Sequence, residues 1–262
     1  MPVLRELQND IIKALNVAAL TVYPWSQTDS NMVVLLRDQE DGEAYFAKVF
    51  LRDTPDGLSA NERYRREKTI LSAMQGLGAP ELMYSEDVAR VLVTRGADGH
   101  GVKHFIDSGD AKTAIGAIAQ WLARFHNRFE THAPADATLA DHLALYPGYS
   151  NLNGFDDVQA KARSIPLTEL VLSRGDGSAS NFRFTEDRVV GFDFEAAAFR
   201  AKEIDMIGIA QDFAMFTDET PHQIADWVVA HYALVRPVED IDATIELIAL
   251  MLTLLTPAAE AA

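Results

Sequence analysis

The chain of 262 residues is 48% hydrophobic and 24% charged, contains no cysteine and has a formal net charge of −16. This length and composition suit one large or two small globular domains, and the lack of cysteine excludes disulfide bonds, thiolate metal sites and cysteine nucleophiles. The acidic balance argues against a nucleic-acid partner, because binding to phosphates depends on clustered lysine and arginine side chains.

No stretch of the sequence predicts a secretory signal or a membrane segment. The first ten residues mix charged and apolar side chains and lack the apolar core of a signal peptide. The most apolar run, 245–255, is interrupted by polar residues and is too short to span a bilayer. We therefore expect a cytoplasmic protein with no membrane partner. The sequence does not define an oligomeric state.

The first hundred residues combine helical patterns with β-prone runs. Apolar residues at helical spacing predict a leading helix over 4–15 and a second helix over 60–74. The loop 95–99 follows the last apolar strand, so we place a domain boundary there, between 1–95 and 96–262. β-prone runs bounded by turn residues predict a sheet of about five strands, at 19–25, 31–37, 44–51, 82–85 and 90–94.

Lys48 stands out in the third of these strands, because its neighbours are apolar. A lysine on a sheet face loses hydration unless it is paired or projects into a polar cleft. The helix over 60–74 carries Glu67 beside its apolar stripe, in a position to meet Lys48 across the sheet. One alternative is that Lys48 is a solvated residue of an edge strand and Glu67 an ordinary solvated charge of the helix. Another is that Glu62, rather than Glu67, is the partner of Lys48.

Beyond the boundary the pattern becomes helical. His126 has core spacing in the first helix, and we interpret it as a packing or hydrogen-bonding residue. Asp205 lies early in the helix that begins at Ala201, where an acid favours the helix dipole, and we prefer this interpretation to a catalytic role. The mixed segment 134–153 is assigned to the substrate side. Further helices are predicted at 113–129, 156–162, 221–236 and 238–253.

Three oxygen-bearing side chains late in the sequence form the most specific motif. Asp176 and Asn181 stand in a D-x4-N spacing in a loop of small residues, and a predicted hairpin over 182–192 leads to Asp193. Carboxylate and amide oxygens are ligands that Mg²⁺ accepts alongside substrate phosphates. A carboxylate that takes a hydroxyl proton, beside an amide and a carboxylate that hold metal, is the equipment of phosphoryl transfer in protein kinases. The alternative is that Asp176 and Asn181 only form turns.

The order of these residues resembles a known family. Lys48, Glu67, a helix ending in Leu-Ala-Arg-Phe-His, Gly-Asp-x4-Asn and Phe-Asp-Phe-Glu follow one another within 15–215. The series is similar to the aminoglycoside phosphotransferase and choline kinase family of small-molecule phosphotransferases. The resemblance implies an α+β, bilobal protein-kinase-like fold. Its N-terminal lobe would hold an antiparallel sheet with one main helix, and its mostly helical C-terminal lobe would carry a catalytic hairpin.

The resemblance also implies roles for the site residues. Lys48, oriented by Glu67, would contact the α- and β-phosphates of ATP, and the backbone from Val93 to Arg95 would meet the adenine edge. Asn181 and Asp193 would hold Mg²⁺ between the phosphates. Asp176 would orient the substrate hydroxyl and accept its proton.

The segment 26–31 departs from the family pattern, because the usual phosphate loop contains glycine and this one contains none. Glycine lets backbone amides approach phosphate closely. Here side chains would have to donate instead, while Asp29 would repel phosphate. Arg174 also replaces the usual histidine before Gly-Asp, and 177–180 differs from the usual sequence. The candidate side-chain donors are Ser26, Thr28, Ser30 and Asn31.

Three functions are consistent with these residues. The first is an ATP- and Mg²⁺-dependent phosphotransferase that acts on a hydroxyl of a small molecule such as an aminoglycoside, amino sugar, sugar or choline-like amine. The acidic balance favours an amine-bearing acceptor. The second is a catalytically weak or inactive pseudokinase-like nucleotide-binding module, which holds nucleotide weakly or not at all and acts through partners, and the third transfers AMP instead of phosphate. Candidate acceptor-side acids are Asp156, Asp157, Glu195 and Asp212.

Overall fold

The computed structural model describes residues 2–55, 57–146, 148–175 and 177–256. The predicted catalytic residue, Asp176, lies outside the described residues. The chain divides into two compact units. The first comprises Met1–Gly99 with Val190–Glu195, and the second comprises His100–Val189 with Ala196–Ala262. In the described part of the chain, no helix is both long and apolar enough to cross a membrane.

The first unit is built on a five-stranded antiparallel sheet. The strands are β1 (Leu20–Gln27), β2 (Asn31–Asp38), β3 (Ala44–Phe50), β4 (Leu82–Glu86) and β5 (Val91–Arg95), and their order across the sheet is β1-β2-β3-β5-β4. The predicted antiparallel sheet with one main helix is therefore confirmed. The helices are α1 (Pro2–Glu6), α2 (Gln8–Leu15) and α3 (Ala60–Ala73).

Two predicted boundaries in this unit are wrong. The helix expected over 4–15 is interrupted at Leu7, although its amide still donates to Val3 and its carbonyl oxygen accepts from Ile11. The strand expected to end at Trp25 continues to Gln27, because Ser26 and Gln27 pair with β2 after a register shift. Pro24 precedes the shift, and a proline lacks the N–H that regular pairing requires. The connection between β1 and β2 is therefore a tight turn.

Helix α3 begins at a capping box. The Ser59 hydroxyl accepts from the Glu62 amide at 3.1 Å, and the Glu62 carboxylate accepts from the Ser59 amide at 3.2 Å. This arrangement satisfies backbone donors at the helix start and fixes where the helix begins. Its buried face combines apolar residues with two charged ones, Arg63 and Glu67.

The second unit is mainly helical, with short strands between the helices. Its helices are α4 (Val102–Asp107), α5 (Ala111–Arg128), α6 (Leu139–Ala144), α7 (Phe155–Ala162), α8 (Glu203–Ala214), α9 (Pro221–Ala233) and α10 (Ile241–Leu255). Helix α9 packs against α5 and α10. Strands β6 (Glu130–His132), β7 (Glu169–Ser173) and β10 (Ala198–Arg200) form an antiparallel sheet in the order β10-β7-β6.

The predicted hairpin over 182–192 contains two strands of three residues. Strand β8 (Phe182–Phe184) leads into β9 (Val189–Gly191) through a turn in which the Thr185 amide donates to the Arg188 carbonyl oxygen at 2.9 Å. The segment Val190–Glu195 belongs to the first unit. The chain therefore carries Asp193 into the unit that contains Lys48.

Candidate active site

Lys48 is the centre of a charged cluster in the first unit. Its ammonium nitrogen lies 2.8 Å from a Glu67 oxygen, 2.6 Å from an Asp193 oxygen and 3.0 Å from a Glu195 oxygen. The lysine side chain is 14% exposed and that of Glu67 is 9% exposed. The structure thus brings three sequence-predicted residues, Lys48, Glu67 and Asp193, into direct contact. Glu195, which sequence reasoning assigned to the acceptor side, belongs to this cluster instead.

Three elements place these side chains. Strand β3 lies between β2 and β5, so Lys48 is on an inner strand and the edge-strand alternative is wrong. Glu62 is engaged in the capping box of α3, which leaves Glu67 on the buried face to meet the lysine. Asp193 follows β9 with φ of 65°, a left-handed conformation that aspartate tolerates better than most residues.

One ammonium faces three carboxylates in this cluster, and burial shifts the pKa values. Burial raises the pKa of Glu67 to about 7, although Lys48 opposes that rise. Burial alone would lower the pKa of Lys48, but Glu67, Asp193 and Glu195 outweigh it and raise the pKa above its usual range. Lys48 therefore stays charged at neutral pH.

The three carboxylates are of the ligand type that a hard divalent cation binds. Glu67, Asp193 and Glu195 each place an oxygen within 4.8 Å of the others. Carboxylate oxygens are the protein ligands that Mg²⁺ prefers. Asn181, the other predicted metal ligand, lies in the second unit at the end of a short 3-10 turn, Ala179–Asn181. Its backbone amide donates to the Ser178 carbonyl oxygen at 3.2 Å.

The glycine-free turn between β1 and β2 is closed by its own side chains. The Asn31 amide donates to the Thr28 hydroxyl at 3.0 Å, and the Thr28 amide donates to the Asn31 carbonyl oxygen at 2.8 Å. The Asn31 side-chain nitrogen lies 3.0 and 2.8 Å from the two Glu195 oxygens. Asn31 therefore holds Glu195 rather than pointing a free side-chain amide at a phosphate, and the Thr28 and Ser30 hydroxyl groups bond to each other at 3.2 Å.

The predicted adenine edge lies at the end of β5. Val93 is fully buried and pairs with β3 and β4. The Arg95 amide donates to the Glu81 carbonyl oxygen at 2.9 Å, and its guanidinium pairs with the Glu81 and Glu43 carboxylates. Because that amide is already engaged, a contact between Arg95 and adenine would use the Arg95 carbonyl oxygen.

Two buried or partly buried acids fasten the loop that contains the D-x4-N motif. Asp205 accepts from the Ser173 hydroxyl at 2.8 Å, from the Arg174 amide at 2.9 Å and from the His126 ring at 3.0 Å. Asp212 accepts from the Ala179 amide at 2.6 Å. The helix-dipole interpretation of Asp205 was therefore incomplete, because its carboxylate anchors the start of the loop.

The protonation states around Asp205 follow from burial and hydrogen bonding. Burial would raise the pKa of Asp205, but hydrogen bonds from His126, Arg174 and Ser173 hold it below the usual value. Burial lowers the pKa of His126, so the ring is neutral at pH 7. Since a carboxylate can only accept, the ring proton is on Nε2, and Nδ1 accepts from the Tyr232 hydroxyl at 2.8 Å. The expected packing and hydrogen-bonding role of His126 is confirmed.

We expect Asp205→Ala to lower the free energy of unfolding by about 3 kcal/mol, because it leaves buried donors without an acceptor. Chemical denaturation measures the change. The control is Asp242→Ala, an exposed acid in the first turn of α10, where only the dipole is affected and the loss should stay below about 1 kcal/mol. Equal losses in the two variants would contradict the anchoring role.

Gly175 precedes the predicted base and has a constrained backbone. Its φ is +76°, and a Cβ there would overlap the Ala196 carbonyl oxygen and the Arg200 guanidinium. The Gly175 carbonyl oxygen accepts from the Tyr146 hydroxyl at 2.7 Å. Only glycine fits this position, so the chain is held tightly on the N-terminal side of residue 176.

A cavity of about 440 Å³ opens beside this loop in the second unit. Tyr146 and Tyr149 form one wall, with ring centroids 4.8 Å apart. Asp156 and Asp157, two of the proposed acceptor-side acids, are exposed in the first turn of α7 and do not line this cavity, whereas Asp212 does. The remaining lining residues include Gly175, Gly177, Ser178, Gly208, Gln211 and Leu255.

The architecture and these residues define a protein-kinase-like fold of the type found in small-molecule phosphotransferases. The structure is similar to a choline kinase from Cryptosporidium parvum, with a TM-score of 0.59 and 13% identity, covering 95% of this chain and 87% of that one. It is similar to the choline kinase LicA from Streptococcus pneumoniae, with a TM-score of 0.57 and 16% identity, covering 96% and 90% of the two chains.

A third similar structure is an aminoglycoside phosphotransferase, APH(2")-IIa, solved as a ternary complex with streptomycin and ATP. Its TM-score is 0.55 at 12% identity, and the match covers 93% of this chain and 85% of that one. No protein-family model matches the sequence, and no curated protein is significantly similar to it. The suspected resemblance is confirmed as a shared fold.

Proposed function

We propose that the chain is an ATP- and Mg²⁺-dependent phosphotransferase that moves the γ-phosphoryl group to a hydroxyl of a small molecule. The observation that carries the proposal is the contact of Lys48 with both Glu67 and Asp193. A lysine held by a helix glutamate, beside a metal-binding aspartate, is the arrangement that phosphoryl transfer requires. The ATP complex of a protein with the same fold supports the choice of nucleotide.

In this proposal each residue has a stated role. Lys48 binds the α- and β-phosphates, and Glu67 fixes its direction. Asn181 and Asp193 hold the magnesium ion, which when bound neutralises charge on the phosphates. Asp176 orients the acceptor hydroxyl and takes its proton, so transfer depends mainly on positioning and electrostatic stabilisation.

We further propose that the acceptor carries an amine. Tyr146, Tyr149 and Asp212 line the cavity beside Gly175. Aromatic faces and carboxylates attract cations, and the net charge of −16 would favour the approach of a cationic molecule. Choline and streptomycin, named with the similar structures, are both cationic.

The direct test is incubation with γ-labelled ATP, Mg²⁺ and a panel of amino alcohols, aminoglycosides, amino sugars and neutral sugars. We expect label on an amine-bearing member of the panel. Label on a neutral sugar alone would contradict the amine assignment, and absence of label across the panel would contradict phosphoryl transfer. Intact mass of the product separates transfer of phosphate from transfer of AMP.

Asp193→Ala should remove magnesium-dependent nucleotide binding, because it deletes a metal ligand. In wild-type protein a nucleotide at a hundredfold excess over its Kd should add about 2.7 kcal/mol of stability. Thermal unfolding with Mg-ATP should show this gain for wild type and for the exposed control Asp226→Ala. Wild type with ATP and EDTA, and Asp193→Ala with Mg-ATP, should show little gain. Unchanged stabilisation of Asp193→Ala would contradict its role.

The second candidate function is a nucleotide-binding module without transfer. The observation that favours it is the glycine-free turn, whose Asn31 side chain is already engaged by Glu195. Stabilisation by Mg-ATP with no label transfer across the panel would support this function. No stabilisation by Mg-ATP would argue against phosphoryl transfer and favour a module that acts through partners without holding nucleotide.

A further inference from the structure

Arg63, on helix α3, is a buried arginine that joins three parts of the first unit. It is 1% exposed. Its guanidinium donates to the Asn31 side-chain oxygen at 2.8 Å, to a Glu195 oxygen at 3.2 Å and to the Ser30 carbonyl oxygen at 3.3 Å. It also donates to the Arg52 carbonyl oxygen. One side chain thus connects α3, the glycine-free turn and the segment that carries Asp193.

This arrangement is costly to build. Burying a guanidinium removes its hydration, and a buried ion pair contributes little net stability compared with apolar packing. The Arg63 Nε has no hydrogen-bond partner among the described residues. The free energy of folding therefore does not explain why an arginine is buried here. Its role in orienting Asn31 and Glu195 does.

Arg63 holds one side of the turn, at the Ser30 carbonyl oxygen and the Asn31 side chain. It does not contact the backbone amides at the tip of the turn. The Ser30 carbonyl oxygen accepts from the Leu51 amide at 2.8 Å as well as from Arg63. Within the described part of the chain, the amides of Asp29 and Ser30 at the tip donate to no acceptor. Successive free amides in a rigid turn attract an anion, while the exposed Asp29 carboxylate on the same turn opposes it, so the position of the amides decides whether a phosphate is held.

The same arginine is connected to Lys48 through one carboxylate. Glu195 Oε2 receives hydrogen bonds from Arg63 and Asn31 and lies 3.0 Å from the Lys48 ammonium. Any displacement of Glu195 would therefore change the surroundings of both the turn and Lys48. Planar guanidinium groups suit such multiple contacts because their donors have a fixed fork geometry.

We propose that Arg63 is a positioning residue for the nucleotide phosphates, which compensates for the missing glycines. It fixes the positions of Asn31 and Glu195, so that the backbone amides at the tip of the turn and the Lys48 ammonium contact the same triphosphate. This inference rests on the proposed nucleotide-dependent function. It assigns Arg63 no contact with the nucleotide itself.

Calorimetric measurements of binding test the proposal with two probes, Mg-AMP-PNP and adenosine. We expect Arg63→Met to weaken binding of Mg-AMP-PNP by about tenfold to a hundredfold, the scale of a small misplacement of binding groups. Adenosine lacks phosphates, so its affinity should stay within about twofold, whereas general structural damage would weaken both ligands. Arg63→Lys should restore part of the loss, because it keeps the charge but not the fork.

The matched control is Arg65→Met, on the exposed side of the same helix, which should bind both probes like wild type. If Arg63→Met fails to fold, Asn31→Ala breaks the same link from the partly buried turn and should give the same selective loss for Mg-AMP-PNP.

Three outcomes overturn the inference: wild-type affinity for Mg-AMP-PNP in Arg63→Met, equal losses for both probes, or an Asn31→Ala variant that binds like wild type. The proposed function fails separately, if wild-type protein binds neither probe.

Discussion

Replacement of Asp176 by asparagine should lower phosphoryl transfer by about 10²–10⁴-fold, the contribution typical of a positioned general base. Asparagine has nearly the same shape but cannot accept the proton of the acceptor hydroxyl. Nucleotide binding should remain, because in the proposed arrangement the phosphates and metal are held by Lys48, Asn181 and Asp193. Turnover is measured with labelled ATP and the acceptor found in the panel, and nucleotide affinity by calorimetry.

The matched control is Asp187→Asn, an exposed aspartate in the turn between β8 and β9, which should retain wild-type turnover. Full activity of Asp176→Asn would remove the assignment of the base. Loss of nucleotide affinity together with turnover would indicate that Asp176 supports the metal rather than the hydroxyl.

Lys48→Met should have a large effect on both stability and turnover. It removes the only ammonium that faces Glu67, Asp193 and Glu195 within the described part of the chain. Removing one partner of a buried ion pair lowers the free energy of unfolding by about 3–5 kcal/mol. Because Asp193 is partly exposed, we expect the loss in Lys48→Met to lie near the lower end of this range. Turnover should fall by about 10²–10³-fold, the cost of losing one preorganised electrostatic contact.

The stability loss in Lys48→Met should depend on pH. Burial already raises the pKa of Glu67 to about 7 with the lysine present, and removal of the lysine raises it further. An acid whose folded-state pKa exceeds its unfolded value destabilises the fold progressively as pH rises between the two values. The loss should therefore be larger at about pH 8 than at about pH 5, because Glu67 is protonated at the lower pH.

Denaturation at both pH values measures this difference. The control is Lys68→Met, which removes a more exposed ion pair with Asp87 and should cost less than about 1 kcal/mol at either pH. A loss in Lys48→Met that is small and independent of pH would show that the three carboxylates do not depend on the lysine.

The main elements of the fold were predictable because periodicity reports them directly. The five strands and helix α3 lie close to their predicted positions, as do the long helices of the second unit. The strands β6, β7 and β10 were missed because they are short and pair across long stretches of sequence. Helices α4 and α6 have six residues each, too few for a clear apolar repeat.

The sequence predicted those site residues whose type and order follow a known pattern. It did not predict residues whose role depends on burial and side-chain direction. Lys48, Glu67 and Asp193 meet as their order in the sequence suggested. Arg63 was missed because arginine is usually solvated, although its position four residues before Glu67 places both on one helix face. Glu195 was assigned to the acceptor side because sequence spacing does not show the direction of a side chain after a left-handed residue.

The passage of the chain back into the first unit has a consequence for how such a protein can be divided. A fragment that ends at Gly99 would keep Lys48 and Glu67 but lack the six residues Val190–Glu195. Its lysine would lose two of three counter-ions, and Arg63 would lose its acidic partner. Gene fusion or recombination at Gly99 would therefore separate Lys48 from Asp193 and Glu195, so the charged cluster forms only when both segments of the chain are present.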